Sequence, residues 1–184
     1  MGSIPSLSLP PIKTCRADAP CTKKCYAARL FKRYKNTALA YERNLQAWKE
    51  NPNGFEIQVI AAAITTRFFR WHVSGDIVDS TYFAMMCSVA RKCPDTKFLV
   101  FTKRWDIVNP LHKTIPSNLQ IVYSAWPGLE PDNPYSFPIA HIILRGESPK
   151  DEWKIYGGNC TDCVCRNIGC WELKNGEHIA FYEH

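Results

Sequence analysis

Seven of the chain's nine cysteines fall into two tight clusters at opposite ends of its 184 residues. Cys15, Cys21 and Cys25 form a C-x5-C-x3-C group, and Cys160, Cys163, Cys165 and Cys170 form a C-x2-C-x-C-x4-C group. Thiolates this close on a loop can converge on one metal or one iron-sulfur core, whereas a disulfide needs paired Cβ atoms facing each other at about 3.8 Å. An odd count also leaves one thiol over in any disulfide scheme. A three-thiolate loop suits a 4Fe-4S cluster with one iron open to an outside ligand, because each iron takes a single external thiolate. Cys15, Cys21 and Cys25 are the expected ligands at one end, and Cys160, Cys163 and Cys170 at the other. Cys165 is set apart, since its one-residue gap from Cys163 makes ligation of the same core awkward. The spacing leaves open whether each group holds its own cluster or both share one. Zinc is the competing chemistry: the second group could close a tetrahedral site, and the first could do so with His72 or His184. The usual zinc arrangement, two C-x2-C units about a dozen or more residues apart, occurs in neither group.

In an α/β domain, ligands gather beyond the carboxyl ends of parallel strands. Ser74-Gly75-Asp76 and Thr102-Lys103 each follow a strand pattern, and with the first cysteine loop they are expected to line one pocket. Asp76, read as lying on an exposed turn, and Lys103 would supply polar contacts to a small-molecule ligand, while Gly75 permits close backbone approach. The plain alternatives are a turn-capping aspartate and an ordinary surface lysine. His72 lies inside a strand pattern and reads either as part of this binding set or as a satisfied core histidine. Cys87 and Cys93 fall on or near an apolar helix face and read as buried structural thiols.

Alternating strand and helix patterns are expected to position these residues. Helical spacing of Tyr34, Ala38, Tyr41, Leu45 and Trp48 predicts a helix over Tyr34 to Glu50, stopped by Asn51-Pro52-Asn53-Gly54. A buried helix follows over Phe55 to Thr65, then a strand over Phe68 to Val73. Asp79 can cap a helix with the apolar face Tyr82, Phe83, Met86, Val89 and Ala90. Further strands are expected at Lys97 to Phe101, Leu119 to Ser124 and Ile139 to Leu144, with a short helix at Trp105 to His112. The proline-punctuated stretch from Pro127 to Pro138 is a candidate lid. Trp171 to Leu173, a turn at Lys174 to Glu177 and His178 to Tyr182 predict a terminal hairpin. The fold class expected is α/β: one domain over residues 1–184, a partial (β/α) barrel-like parallel sheet, with 157–184 a cysteine-rich extension ending in that hairpin.

A chain this long can bury roughly 70% of its unfolded surface and needs no disulfides to fold. No apolar run approaches the roughly 20 residues that span a bilayer, and Met1 to Leu9 lacks the layout of a secretory signal, so a reducing cytoplasm and no membrane association are expected. The formal net charge is +6, part of it in Lys23, Lys24, Arg29, Lys32, Arg33 and Lys35. That basic stretch reads as a helix face for nucleic acid or a phosphorylated small molecule, or as a plain solvated surface.

The order and spacing of several pieces, running through nearly the whole chain, resemble the bacteriophage "gene product 88" family. They are Thr14-Cys15 through Cys25-Tyr26-Ala27, Asn44, Arg70-Trp71-His72-Val73-Ser74-Gly75-Asp76, Phe101-Thr102-Lys103, and Gly158-Asn159-Cys160 through Cys170-Trp171. The resemblance implies a phage protein working in the host-cell cytoplasm. The layout is also distantly similar to radical S-adenosylmethionine enzymes, which carry a three-cysteine 4Fe-4S loop after the first strand and a glycine-glycine-acid motif after the second. Here the cysteine loop follows Ile12 to Thr14, and Ser74-Gly75-Asp76 follows the next strand. The cysteine spacing is wider than that class's C-x3-C-x2-C, and Tyr26 follows the last cysteine rather than an aromatic preceding it. The likeness implies one or two 4Fe-4S clusters, S-adenosylmethionine as ligand and an external reductant; the competing class is a non-catalytic metal-stabilised module that binds nucleic acid or a partner.

Overall fold

The computed structural model describes residues 4–156, 160 and 169–183. Among these residues the chain forms one open sheet of seven parallel strands and five α-helices, the arrangement of a partial barrel. The strands are β1 (Ser6–Leu7), β2 (Phe68–Trp71), β3 (Lys97–Thr102), β4 (Leu119–Ser124), β5 (Ile139–Ile143), β6 (Lys154–Ile155) and β7 (His178–Tyr182), in the order β1-β2-β3-β4-β5-β7-β6. The helices are α1 (Tyr26–Arg33), α2 (Lys35–Glu50), α3 (Pro52–Ala63), α4 (Ser80–Lys92) and α5 (Trp105–Val108).

Side chains alternate across the strands, and the two faces of the sheet meet different partners. Phe69, Trp71, Phe98, Val100, Ile121 and Tyr123 pack against α2 to α5 in the larger core, with Trp48, Phe55, Tyr82, Phe83 and Met86 opposite them. Leu99, Val122, Ala140 and Ile179 face the other way and are covered by Cys170, Trp171 and Leu173. Cys87 and Cys93 are buried in the helix-side core, as structural thiols should be.

Several local expectations hold for the reasons given. Asp79 caps α4, its side chain accepting from the Tyr82 amide at 2.8 Å. β4 runs from Leu119 to Ser124. Others change. Asn51-Pro52-Asn53-Gly54 both stops α2 and starts α3: Asn51 accepts from the Gly54 amide at 2.9 Å and Pro52 takes the first helical position, where its missing N–H costs nothing. The first strand is Ser6–Leu7; Ile12 to Thr14 instead form a tight turn, with Lys13 N–H donating to the Pro11 carbonyl and Ile12 at a φ of 66°. β2 ends at Trp71 because His72 adopts a left-handed φ of 51°. The proline-rich loop is no free lid: Tyr135 stacks on His112 at 3.6 Å, Phe137 packs on Tyr123, and Asn133 bonds both polar backbone groups of Phe137.

The terminal hairpin is also corrected. Residues 170–172 form a 3-10 turn, and β7 joins the sheet in parallel between β5 and β6. Trp171 and Leu173 are 7% and 5% exposed, spent on covering the second sheet face, so they are not available to pair as a strand. β7 meanwhile satisfies its backbone groups along five register positions of β5.

Candidate metal centre

All seven strands run the same way, so the segments after β1, β2, β3, β4, β5 and β7 leave the sheet at one end. The first cysteine loop spans that end. It begins after β1, includes a 3-10 turn at Pro20–Lys24, and closes at Cys25, the N-cap of α1, whose sulfur accepts from the Ala28 amide at 3.4 Å. Lys24 reaches across to Glu183, just beyond β7, at 3.0 Å.

The loop is joined to the turn after β2 through a close approach. Leu9 N–H donates to the Ser74 carbonyl at 2.9 Å, and Thr14 Oγ1 donates to the Pro10 carbonyl while accepting from the Asp76 amide. Gly75, at a φ of +79°, sits where an added Cβ would lie 2.6 Å from Thr14 Oγ1 and 2.9 Å from the Leu9 carbonyl oxygen. Only glycine meets both demands. Asn44 of α2 donates to the Ser8 carbonyl and Tyr26 of α1 to the Val73 carbonyl, both at 2.9 Å, holding the loop from two more helices.

Asp76 is 6% exposed, not on an open turn as expected. One carboxylate oxygen accepts from the Ile77 amide at 2.8 Å and from Thr102 Oγ1 at 2.6 Å; the other accepts from the Lys103 amide at 2.9 Å. The carboxylate thus stitches the end of β2 to the end of β3, and one of its roughly four lone-pair sites remains unclaimed by these three donors. Burial pushes its pKa above the usual range, against the pull of Thr102 and the two amides. Lys103 Nζ donates to Ser124 Oγ at 2.9 Å, tying β3 to β4.

Cys15, Cys21 and Cys25 are free thiols of intermediate burial. Burial pushes the Cys15 thiol up to about 12, helped by the nearby Asp76 carboxylate and the other two sulfurs. Cys21 is also raised by burial, while the Lys103 cation draws it back. Cys15 and Cys21 therefore both lie within electrostatic reach of Asp76, and Cys21 also within reach of Lys103. Ser74, 5% exposed, has a buried hydroxyl with no hydrogen-bond partner among the described residues. His72 is placed differently. It is 4% exposed on the helix side, stacked on Tyr82 with Nε2 3.1 Å from the tyrosine hydroxyl, and burial lowers its pKa to about 3.

Of the second cysteine group, the described residues are Cys160 and Cys170. Cys160 is buried, with Arg70 Nη1 donating to its sulfur at 3.4 Å, and Cys170 lies in the apolar cover of the second face. Arg70 is itself stacked over Phe101 at 4.4 Å. Cys163 lies outside the described residues. Among the described residues no three His, Cys, Asp or Glu side chains gather tightly enough to hold a single ion. A 4Fe-4S core makes a different demand, one thiolate per iron, and the free thiols of the loop, with a backbone N–H directed at Cys25, are the donor chemistry such a core uses.

Thr14, Tyr26, Asn44 and Ser124 complete the site, and Arg70 supports Cys160 on the second face. Thr14, Tyr26, Asn44 and Arg70 appear in the sequence only as parts of the recognised motifs, with no sign of what each would touch. Ser124, the last residue of β4, carried no signal beyond its place at a strand end.

The fold and site define an open parallel α/β protein with a three-cysteine loop across the carboxyl end of its sheet. The chain belongs to the gene product 88 family, whose model matches residues 1–127. The match covers the first cysteine loop and the Ser74-to-Asp76 and Thr102-Lys103 turns; Cys160 to Cys170 lie beyond it. No curated protein and no solved structure matches the chain. Among the described residues no helix is long and apolar enough to cross a membrane.

Proposed function

We propose that the protein is an iron-sulfur protein in which Cys15, Cys21 and Cys25 hold a 4Fe-4S cluster with one iron open to a ligand. The observation that carries this reading is the presence of three free, half-buried thiols on a single loop over the carboxyl end of a parallel sheet, where ligands of such sheets gather. A bound cluster would supply one-electron chemistry at its open iron. The chain's own residues do the rest. Gly75 lets the turn after β2 lie directly against the loop, and Asp76 fixes the ends of β2 and β3. Lys103 offsets negative charge at Cys21, and the Ser74 hydroxyl offers a hydrogen-bonding group that no described residue uses.

The reading extends to S-adenosylmethionine as the ligand. It is supported by the order of parts, with the cysteine loop after β1 and the Ser74-Gly75-Asp76 turn after β2. Cys160, Cys163 and Cys170 would hold a second cluster, with Arg70 donating a hydrogen bond to the Cys160 sulfur, and that cluster would serve as an electron relay. Reduced, anaerobically purified protein is expected to bind S-adenosylmethionine and to release methionine and 5'-deoxyadenosine. An iron-loaded protein showing neither binding nor products would remove the S-adenosylmethionine reading and leave an iron-sulfur protein of other chemistry.

A further inference from the structure

The cysteine loop has a cleft on each side, and the two differ in charge. Beside Cys15 lies a cleft of about 460 Å³, lined by Arg16, Arg104, Asp18 and Asp106. Its two arginines are each engaged by a neighbouring carboxylate, Arg16 by Asp18 and Arg104 by Asp106. Beside Cys25 lies a larger cleft of about 760 Å³, between the start of α1 and the segments that follow β5 and β7. Lys23, Lys24, Arg29, Lys32 and Arg145 line it against Glu183, the one carboxylate among the described lining residues.

Lys24 uses Glu183, but the side chains of Lys23, Arg29 and Lys32 pair with no carboxylate among the described residues. Arg29 and Lys32 stand one turn apart on α1, a spacing at which like charges repel. Such a concentration of cations is stabilised when a polyanion enters. Among the described residues no Phe, Tyr or Trp lines the cleft, so they offer no ring on which nucleobases could stack, as single-strand binders do. Its size is that of a small-molecule pocket.

We propose that this cleft binds the phosphate groups of a phosphorylated small molecule. Resting on the cluster reading, this makes Cys25 the point where that molecule meets the metal centre: the phosphates are held by Arg29, Lys32, Lys23 and Arg145, and the rest of the molecule lies along the cysteine loop. The basic stretch of the sequence thus acts through its Lys23-to-Lys32 portion. Arg33 is turned to Tyr34, 5.5 Å from the ring, and Lys35 opens α2.

Calorimetric titration of the anaerobically purified full chain with inorganic tripolyphosphate tests the proposal, with iron and labile sulfide measured on the same samples. Binding is expected at about 0.1 M salt, weakening as salt rises. Arg29→Gln with Lys32→Gln should lower affinity by about tenfold or more, the loss of two charge-assisted contacts, and Arg145→Gln on the opposite wall should lower it independently. Lys49→Gln with Lys113→Gln removes equal charge elsewhere on the surface and should leave affinity unchanged. Absence of tripolyphosphate binding would overturn the proposal. So would an equal loss in the Lys49 and Lys113 variant, or tighter binding of a single-stranded DNA oligonucleotide that the cleft variants abolish. Tripolyphosphate binding by protein that carries neither iron nor sulfide would uphold the phosphate site and sink the cluster reading alone.

Discussion

The two cysteine groups place one residue type in two opposite settings. Cys15, Cys21 and Cys25 are half-buried on a loop between two clefts, beside Lys103 and the Ser74-to-Asp76 turn. Cys160 and Cys170 are buried on the second face of the sheet, one against Arg70 and the other among Leu99, Val122 and Trp171. A centre that exchanges ligands needs an approach from solvent; one that only stabilises structure or passes electrons does better with water excluded. The loop cysteines have the approach, and Cys160 and Cys170 have the shield.

Substitutions that reach only one of the two settings test this contrast, and Gly75→Ala should have the largest effect. The new methyl group meets the Leu9 carbonyl and Thr14 within 3 Å, at a φ of +79°. Left-handed strain of roughly 1 kcal/mol adds to about 1–3 kcal/mol of overpacking, and the loop should lose its metal while Cys160 and Cys170 stay buried. Denaturant unfolding and iron analysis of the variant check both halves. Asp76→Asn comes next. An amide in place of one carboxylate oxygen turns an NH2 toward the Lys103 amide or the Thr102 hydroxyl, costing about 1–3 kcal/mol. The same exchange at Asp79, an ordinary helix cap, should change stability by less than about 0.5 kcal/mol, since Asn caps as well as Asp.

Arg70→Met addresses the second setting. It removes the donor to Cys160 and a cation stacked on Phe101, for a loss of about 1 kcal/mol, without touching the loop. Metal content of the first group should be unaffected, which separate analysis of the Cys160→Ser background would show.

The smallest effect is a pH response away from both groups. His141 stacks on Trp153 at 4.1 Å and shares a 2.9 Å hydrogen bond with His178. Burial, then the neighbouring His178 and Lys150, lowers its pKa from 6.5 to about 4. The folded chain therefore keeps it neutral where the unfolded chain takes a proton. Stability is complete above the unfolded value of 6.5 and declines as pH falls toward about 4. His141→Gln should flatten that decline in melting experiments run between those limits.

Much of the scaffold was legible because it rests on local pattern. The apolar run of Leu119 to Ser124 and the Asp79 cap need only their neighbours. Tertiary context decided the rest. Lys174-Asn175-Gly176-Glu177 reads as a hairpin turn, yet β7 finds its partners in β5 and β6 while Trp171 is drawn to the second face, 5.1 Å from Phe68. His72 continues a strand pattern, but its left-handed backbone ends the strand and starts the turn to Ser74. The convergence of the cysteine loop with Asp76, Thr102 and Lys103 could be anticipated from strand direction. The contacts that hold it could not, since Thr14 meets the Asp76 amide across 62 residues and Arg70 meets Cys160 across 90.

The central claim is that the first cysteine loop carries an iron-sulfur cluster. Iron and acid-labile sulfide analysis, with electron paramagnetic resonance of the reduced protein, tests it on the anaerobically purified chain and on a variant with Cys15, Cys21 and Cys25 all changed to Ser. Wild type should contain iron and sulfide in equal amounts, and the triple variant should lose the share belonging to one cluster together with any signal that responds to S-adenosylmethionine. Zinc without iron or labile sulfide in the wild type, or undiminished iron and sulfide in the triple variant, would contradict the account.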